Sequence, residues 1–196
     1  MSARRAVFLD RDGVINGLVA DPLTGLPESP LRASDVVLLD GVAAAMCALA
    51  SAGFVLVGVS NQPAAAKQTV PMADLMAVQE RVVALLAEAG AAFDDFRICW
   101  HHPDGTDPLL GTRCDCRKPA PGMLHDAARA NGIDLSTSWT IGDGDSDVIA
   151  GAAAGTQTVL IEQPASAHKR AGAGAPTLVA ADLPEAVAVL VDMTSR

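Results

Sequence analysis

The chain contains no tyrosine, and aromatic residues make up only 3% of its 196 residues. Aromatic side chains therefore cannot form most of the core, which must come from the aliphatic residues that dominate the 50% hydrophobic fraction. A core of alanine, valine, leucine and isoleucine is typical of a parallel β-sheet covered by helices. The length suits one compact domain, so we expect a single domain over residues 1–196.

Positive charges are few, because 14 lysines and arginines stand against 23 acidic residues and leave a formal net charge of −9. Such a surface repels polyanions, and we expect no nucleic-acid partner. No apolar run reaches the roughly 18 residues that a membrane helix needs. The basic residues 1–5 precede only the short apolar run 6–9, which is too short for a signal peptide. We therefore expect a cytoplasmic monomer without a membrane partner.

Short apolar and β-branched runs alternate with longer segments of helical spacing. The predicted strands cover residues 6–9, 54–59, 96–100, 139–141 and 158–161. The predicted helices cover residues 41–52, 72–89, 121–131, 145–154 and 183–193. Glycines suited to helix ends follow four of them, at positions 53, 90, 132 and 155. This alternation predicts an α/β fold, a Rossmann-like doubly wound parallel sheet.

Three segments match no regular element: residues 15–35, 101–120 and 163–176. In α/β folds the loops at the carboxyl ends of the strands form the active site, so we expect these segments to contribute to it. Within the last one, residues 171–175 are all alanine or glycine. We interpret this stretch as a mobile surface loop.

Two carboxylates follow the first predicted strand, at Asp10 and Asp12, and Gly13 comes directly after them. Crowded carboxylates are unfavourable unless a cation offsets their charge. Mg²⁺ takes oxygen ligands and lies beside substrate phosphates in many enzymes, so it is the natural candidate. The alternative is an ordinary turn with solvated aspartates.

A second group of carboxylates follows the strand 139–141, at Asp143, Asp145 and Asp147. Carboxylates from two strand ends could converge on one metal ion. Helix capping is the alternative, because Asp145 and Asp147 lie near the start of the helix 145–154 and favour its N-terminal dipole. We expect capping to explain one of them.

Neutral polar side chains follow the strand 54–59, at Ser60, Asn61 and Gln62, and can bind phosphate oxygens without adding charge. Two cations, Arg117 and Lys118, lie on the loop 101–120. A fixed lysine neutralises charge on a transferring phosphoryl group. Taken alone, an Arg-Lys pair is more often a solvated surface feature.

The loop 101–120 and the strand before it carry a Cys-x-His and a Cys-x-Cys pair, formed by Cys99, His101, Cys114 and Cys116. These four ligands suit a closed, tetrahedral and structural Zn²⁺ site. The alternatives are a disulfide or redox pair of cysteines and a ligand role for His102 instead of His101. Cys47 stands apart and is interpreted as a buried apolar residue.

The order of these motifs resembles that of the haloacid dehalogenase (HAD) superfamily: DxD, then SN, then RKP, then GDxxxD. They extend from Val7 to Asp147, about three quarters of the chain. The resemblance implies that Asp10 is the nucleophile, which forms a phosphoaspartate, and that Asp12 is the general acid and base. It also implies that Ser60 and Lys118 stabilise the phosphoryl group.

The same resemblance assigns the magnesium ligands. They would be the Asp10 carboxylate, the Asp12 carbonyl oxygen and the Asp143 carboxylate, while Asp147 would lie behind them. Asn61, Gln62 and Arg117 would bind the substrate. Residues 1–196 would form one HAD-like phosphatase domain.

The Cys/His spacing, followed by Arg117, Lys118 and Pro119, is similar to that of the zinc-containing phosphatases of D-glycero-D-manno-heptose 1,7-bisphosphate and of histidinol phosphate. The short intervals between motifs leave no room for a cap domain, which implies a capless HAD fold with a zinc-stapled loop. The implied activity is Mg²⁺-dependent removal of the 7-phosphate of the heptose bisphosphate. The alternatives are histidinol phosphate, another small sugar phosphate, or a catalytically silent binding module.

Two stretches and one single residue depart from the pattern of these phosphatases. Residues 17–21 replace a His-Gly-Tyr-like stretch, and residues 63–68 replace Ser-Gly-Ile-Ala-Arg-Gly. Gly144 stands where a lysine is common after Asp143. The first two departures concern loops that read the sugar rather than the phosphate.

Overall fold

The computed structural model describes residues 4–21 and 24–195, without the side chain of Ser195. Most of the basic segment 1–5, and two positions of the segment 15–35, lie outside the described residues. Among the described residues, none of the helices combines the length and the apolar character needed to cross a bilayer.

Six parallel strands form the central sheet, in the order β5-β4-β1-β6-β7-β8. Their bounds are β1 Ala6–Leu9, β4 Val55–Asn61, β5 Asp95–Cys99, β6 Trp139–Gly142, β7 Gln157–Ile161 and β8 Leu178–Ala180. A small antiparallel hairpin pairs β2 (Val19–Ala20) with β3 (Pro27–Glu28). The chain reverses direction across the sheet at β1, whose neighbours are β4 and β6.

Five helices cover the two faces of the sheet: α1 Val42–Ser51, α2 Met72–Glu88, α3 Gly122–Asn131, α4 Asp145–Ala154 and α5 Leu183–Ser195. Side chains alternate along β1, so Val7 and Leu9 pack with residues of α1, α2 and α5, whereas Ala6 and Phe8 pack with residues of α3 and α4. Both layers of the core are mainly aliphatic, as the composition predicts, with Phe54 and Trp139 in the first and Phe8 in the second.

The predicted elements agree with the observed ones to within two residues at each end, and the doubly wound sheet is confirmed. The glycines predicted to end helices all have positive φ. The strand β8 was not predicted. The segment 15–35 was wrongly predicted to lack regular structure, because two-residue strands such as β2 and β3 show no periodicity.

The fold is capless within the described residues. Between β1 and α1 the chain forms the β2–β3 hairpin and a short 3₁₀ helix, Ala33–Asp35, and it passes directly from β4 through a turn to α2. The segment 163–176 is not wholly irregular, since Pro164–Lys169 forms a 3₁₀ helix.

Gly58 generates a test of the packing between β4 and β5. It lies beside Phe96 in the sheet register, and a Cβ atom at position 58 would stand 2.2 Å from the Phe96 ring. Gly58→Ala is expected to lower the free energy of unfolding by about 1–3 kcal/mol, because the core is overpacked. The double variant Gly58→Ala/Phe96→Leu should recover part of this loss in urea unfolding. An unchanged midpoint for the single variant would contradict the described packing.

Candidate active site

The carboxyl edge of the sheet carries a cavity of about 170 Å³. It lies where the chain reverses at β1, the position at which α/β sheets bind ligands. The lining comes from the ends of β1, β4 and β6, the β2–β3 hairpin and the loops after β5 and β7: Asp10, Asp12, Glu28, Ser29, Ser60, Asn61, Pro63, Arg117, Lys118, Asp143, Ser146, Asp147 and Lys169.

Asp10 follows β1 directly and is tied to two other elements. Its N–H donates to the Ile141 carbonyl oxygen of β6 (2.9 Å), and its Oδ1 accepts a hydrogen bond from Lys118 Nζ (2.8 Å). Burial raises the pKa of the Asp10 carboxyl; the Lys118 charge opposes this shift and Asp147 adds to it, so that the pKa stays above 3.8. The predicted nucleophile and the predicted phosphoryl-binding lysine therefore meet in one cavity.

Lys118 is held by both its side chain and its backbone. Nζ also donates to the Val59 carbonyl (2.7 Å) and pairs with Asp147 Oδ1 (2.5 Å). Burial lowers the pKa of Lys118, but Asp10 and Asp147 outweigh burial and raise it above its usual value. Asn61 brackets the backbone of Lys118, since it donates to the carbonyl (2.9 Å) and accepts from the N–H (3.1 Å).

Asp12 is a buried carboxylate with donors on both oxygens. Arg11 donates to both oxygens (3.1 and 3.0 Å), Asn16 to one (2.9 Å) and Gln62 to the other (2.5 Å). Burial alone raises the pKa of Asp12, but the Arg11 charge and these hydrogen bonds together lower it below 3.8. Asp12 is therefore held in its charged form.

Gln62 corrects one sequence prediction. It was predicted to bind substrate, yet it is 1% exposed and does not line the cavity. Its amide instead donates to Asp12 and to Ser60 Oγ (2.9 Å). Side chains alternate along a strand, so Ser60 and Gln62 lie on the same side of the chain. The longer Gln62 side chain turns towards Asp12. Ser60 and Asn61 do line the cavity.

Gly13 allows the end of β1 to approach β6 closely. Its φ is +94°, and a Cβ atom there would stand 1.9 Å from Asp143 Oδ2. No other residue fits this turn without displacing the Asp143 carboxylate. The glycine in the DxDG motif is thus a requirement of packing around the carboxylates.

Oxygens of Asp10, Asp143 and Asp147 lie within 4.8 Å of one another. Burial and the neighbouring Asp10 raise the pKa of Asp143 to about 7, and the Lys169 charge offsets this shift only in part. Hard oxygen donors with an excess of negative charge fit Mg²⁺. The Asp147 oxygens have other partners as well: Oδ1 pairs with Lys118, and Oδ2 accepts from the Gly144 N–H, so capping explains Asp147.

Asp145 has another role. Its Oδ2 accepts hydrogen bonds from the N–H groups of Ala171 (2.7 Å) and Ala173 (3.0 Å). Two hydrogen bonds from backbone N–H groups to the Asp145 carboxylate therefore hold the Ala/Gly-rich stretch 171–175 against the start of α4.

The second candidate metal site consists of Cys99, His101, Cys114 and Cys116, whose ligand atoms also lie within 4.8 Å of one another. The sulfur–sulfur distances are 3.1–3.6 Å and the sulfur–Nδ1 distances are 3.4 and 3.8 Å. A tetrahedral zinc site with Zn–S of about 2.3 Å has sulfur–sulfur edges of about 3.8 Å. The cysteines are free, so the disulfide alternative is not supported.

Two further observations bear on this Cys/His cluster. Burial and the neighbouring thiols raise the pKa of Cys116, so a cation in the cluster would favour its thiolate. His102 lies outside the cluster, and its Nδ1 accepts from the Asp104 N–H (3.1 Å). Cys47 also lies apart, half-buried rather than buried, with Sγ donating to the Gly90 carbonyl.

The Cys/His cluster is adjacent to the cavity. Cys116 precedes Arg117 and Lys118, and Arg117 Nη1 donates to the His101 carbonyl (3.4 Å). Arg117 lines the cavity half-buried. The cluster thus fixes the loop that delivers both predicted phosphate-binding cations.

Sequence reasoning missed three residues. Arg11 is fully buried against Asp12. Its place in the sequence between Asp10 and Asp12 could have indicated this role. Lys169 Nζ donates to Asp143 Oδ2 (2.9 Å), and Arg170 donates to the Asp143 carbonyl (3.2 Å). This pair of cations in an Ala/Gly-rich segment after β7 could have indicated a site residue.

Carboxylates at the ends of β1 and β6, with a buried lysine bound to one of them at the reversal of a doubly wound sheet, define a HAD-type phosphatase. The comparisons agree. Residues 115–186 match the HAD-hydrolase-like family model. A crystal structure of D,D-heptose 1,7-bisphosphate phosphatase from B. bronchiseptica, complexed with magnesium and phosphate, is 29% identical, with a TM-score of 0.79 over 96% of this chain and 99% of that one.

Two curated relatives are D-glycero-beta-D-manno-heptose-1,7-bisphosphate 7-phosphatases. The Photorhabdus laumondii protein is 37% identical over 93% of this chain and 94% of its own. The Rhodopseudomonas palustris protein is 40% identical over 78% and 80%. The chain therefore belongs to the family of HAD phosphatases that contains these heptose bisphosphate phosphatases.

The Arg11–Asp12 pair generates a stability prediction. Arg11→Met leaves a buried carboxylate without its cation, and we expect a loss of about 3–5 kcal/mol in urea unfolding at pH 7. Because the folded pKa of Asp12 is lowered, the stabilisation by this pair is present above the unfolded pKa and is lost as pH falls through the folded value. The penalty should therefore shrink in acid.

The double variant Arg11→Met/Asp12→Asn is the control for this prediction. It removes both charges, so it should be less destabilised than Arg11→Met alone. An equal loss in the two variants would show that the buried charge is not the cause.

Proposed function

We propose that this protein is a single-domain, Mg²⁺-dependent phosphomonoesterase that removes the 7-phosphate of D-glycero-D-manno-heptose 1,7-bisphosphate through a phosphoaspartate on Asp10. The observation that carries the proposal is the contact of 2.8 Å between Asp10 Oδ1 and Lys118 Nζ in the cavity at the sheet reversal. The relatives named above support the substrate. We further propose a monomer in the reducing cytoplasm, since one chain supplies the described lining and the cluster requires reduced thiols.

In the first half-reaction, an Asp10 carboxylate oxygen attacks phosphorus while the bond from phosphorus to the sugar oxygen breaks. Lys118, Ser60 and Arg117 line the cavity and are suited to bind the phosphoryl oxygens, whose charge increases in the transition state. Asn61 contributes by fixing the backbone of Lys118.

Asp12 supplies the proton to the leaving sugar oxygen and so must first be protonated. The donors around Asp12 oppose this, but a phosphate dianion in the cavity places negative charge beside it and raises its pKa. In the second half-reaction, Asp12 takes a proton from water, which attacks phosphorus, breaks the bond to Asp10 and releases inorganic phosphate.

The magnesium ligands that we propose are the carboxylates of Asp10 and Asp143 and the carbonyl oxygen of Asp12. Bound there, Mg²⁺ would supply positive charge to the phosphoryl group and to the crowded carboxylates. The raised pKa of Asp143 supports this assignment.

A second candidate substrate class is favoured by one observation. Glu28, on the β2–β3 hairpin, brings a carboxylate to the cavity lining. A carboxylate repels a second phosphate and attracts an ammonium group, as found in histidinol phosphate. Small sugar phosphates with one phosphate are compatible with it as well.

The experiment that tests the function is a phosphate-release assay at millimolar Mg²⁺. We expect turnover of heptose 1,7-bisphosphate, with the anomers tested separately, to exceed that of histidinol phosphate and of sugar monophosphates. Asp10→Asn is expected to abolish turnover while its circular dichroism spectrum and melting temperature stay close to those of the wild type, because an amide oxygen can still accept from Lys118, which Asp147 also pairs. Retained turnover in Asp10→Asn would refute the nucleophile.

For the Cys/His cluster we propose structural Zn²⁺. Cys114→Ser is expected to lower the zinc content measured by mass spectrometry and to lower the melting temperature, because the loop that carries Lys118 loses its anchor. Cys47→Ser is the matched control and should keep its zinc. A zinc-free protein with unchanged melting temperature and turnover would argue against a structural role.

A further inference from the structure

The Lys169 amine lies at the position that the proposed function assigns to the metal ion. Its Nζ donates to the Asp12 carbonyl oxygen (3.2 Å) and lies 2.9 and 3.3 Å from the two carboxylate oxygens of Asp143. These are two of the three groups proposed to bind Mg²⁺. An ammonium group and a magnesium ion cannot share this position, because both are cations and both need the same oxygen atoms.

The electrostatics show what holds Lys169 there. Its Nζ forms an ion pair with Asp143 Oδ2 at 2.9 Å, and its side chain is only 24% exposed. Lys169 is therefore an ammonium ion that partly neutralises the carboxylates.

The backbone around Lys169 is fastened independently of its side chain. Arg170 donates to the carbonyl oxygens of Asp143 (3.2 Å) and Gln163 (3.0 Å), and Gln163 Nε2 donates to the Gly13 carbonyl. The Lys169 side chain can consequently leave the carboxylates by rotation about its own bonds while the segment stays in place. It also lines the cavity, which gives it room to move into.

Gly144 leaves room for the segment that carries Lys169. A Cβ atom at position 144 would stand 3.3 Å from Lys169 Cβ, which is a tight contact, and 3.5 Å from the Lys169 carbonyl oxygen, which is an ordinary one. The cation beside Asp143 comes from the segment after β7.

We propose that Lys169 Nζ occupies the metal position until Mg²⁺ displaces it, so that Lys169 sets the metal affinity of the site. The inference depends on the magnesium ligands of the proposed function. The apparent dissociation constant of a ligand rises as the fraction of binding-competent protein falls. An internal ammonium group that fills the position nine-tenths of the time therefore weakens metal binding about tenfold.

The direct test is amine labelling of the wild-type protein with acetic anhydride, followed by peptide mass spectrometry, with and without Mg²⁺. The chain has three lysines, of which Lys67 is exposed and serves as the internal reference, whereas Lys118 is buried. We expect Mg²⁺ to increase the labelling of Lys169 severalfold and to leave that of Lys67 unchanged. Equal labelling of Lys169 in both conditions would overturn the proposal.

Metal affinity is measured separately, with Mn²⁺ and electron paramagnetic resonance of the free ion. Lys169→Met is expected to bind Mn²⁺ about tenfold more tightly than the wild type, since the competing cation is removed. Lys67→Met is the matched control and should not change the affinity. Asp143→Asn should weaken binding in either background, which identifies the site being measured. Unchanged or weaker binding by Lys169→Met would overturn the proposal.

Two outcomes separate this inference from the proposed function. If Mn²⁺ binds with an affinity that Asp143→Asn does not alter, the magnesium site and the inference both fail. If metal-free protein hydrolyses the substrate and Lys169→Met does not, the ammonium is a permanent replacement for the metal and displacement is wrong.

Discussion

The structure depends on the concentration of buried carboxylates at the carboxyl edge of the sheet. Asp10, Asp12, Asp143 and Asp147 all lie within reach of one cavity and are at least nine-tenths buried. Charges of one sign at this density are unfavourable without partners. Lys118 bridges two of the four, Arg11 pairs with a third, and Lys169 pairs with Asp143. The proposed Mg²⁺ would add further positive charge to this group of carboxylates.

The Cys/His cluster is connected to the same balance through the chain. Lys118 comes from the loop between β5 and α3, and two attachments hold its backbone. One is the bracket that Asn61 forms around its backbone, and the other is the cluster that ends at Cys116. The proposed zinc ion would thus stabilise the position of Lys118, a phosphate-binding cation.

Continuous apolar runs and motif spacing predicted most of the fold and the site. The strand 6–9 and the helix 145–154 are correct because each carries a strong local pattern. The resemblance to the HAD superfamily implied that Asp10 and Lys118 act on the same phosphoryl group. The contacts of Gln62 and Lys169 could not be predicted from the sequence, because the direction of a side chain beyond a strand end depends on its hydrogen-bond partner in the folded chain. Asp12 attracts the first and Asp143 the second.

The β2–β3 hairpin has a consequence for how this enzyme can diversify. Glu28 and Ser29 line the cavity, but among the described residues the two hairpin strands pair only with each other, and none of their residues joins the buried layers of the central sheet. Gly13, by contrast, admits no side chain. The cavity is therefore lined by segments that differ widely in their tolerance to substitution. In the proposed function, changes in the hairpin would alter which leaving group fits, while the carboxylates around Gly13 would keep the phosphate chemistry constant.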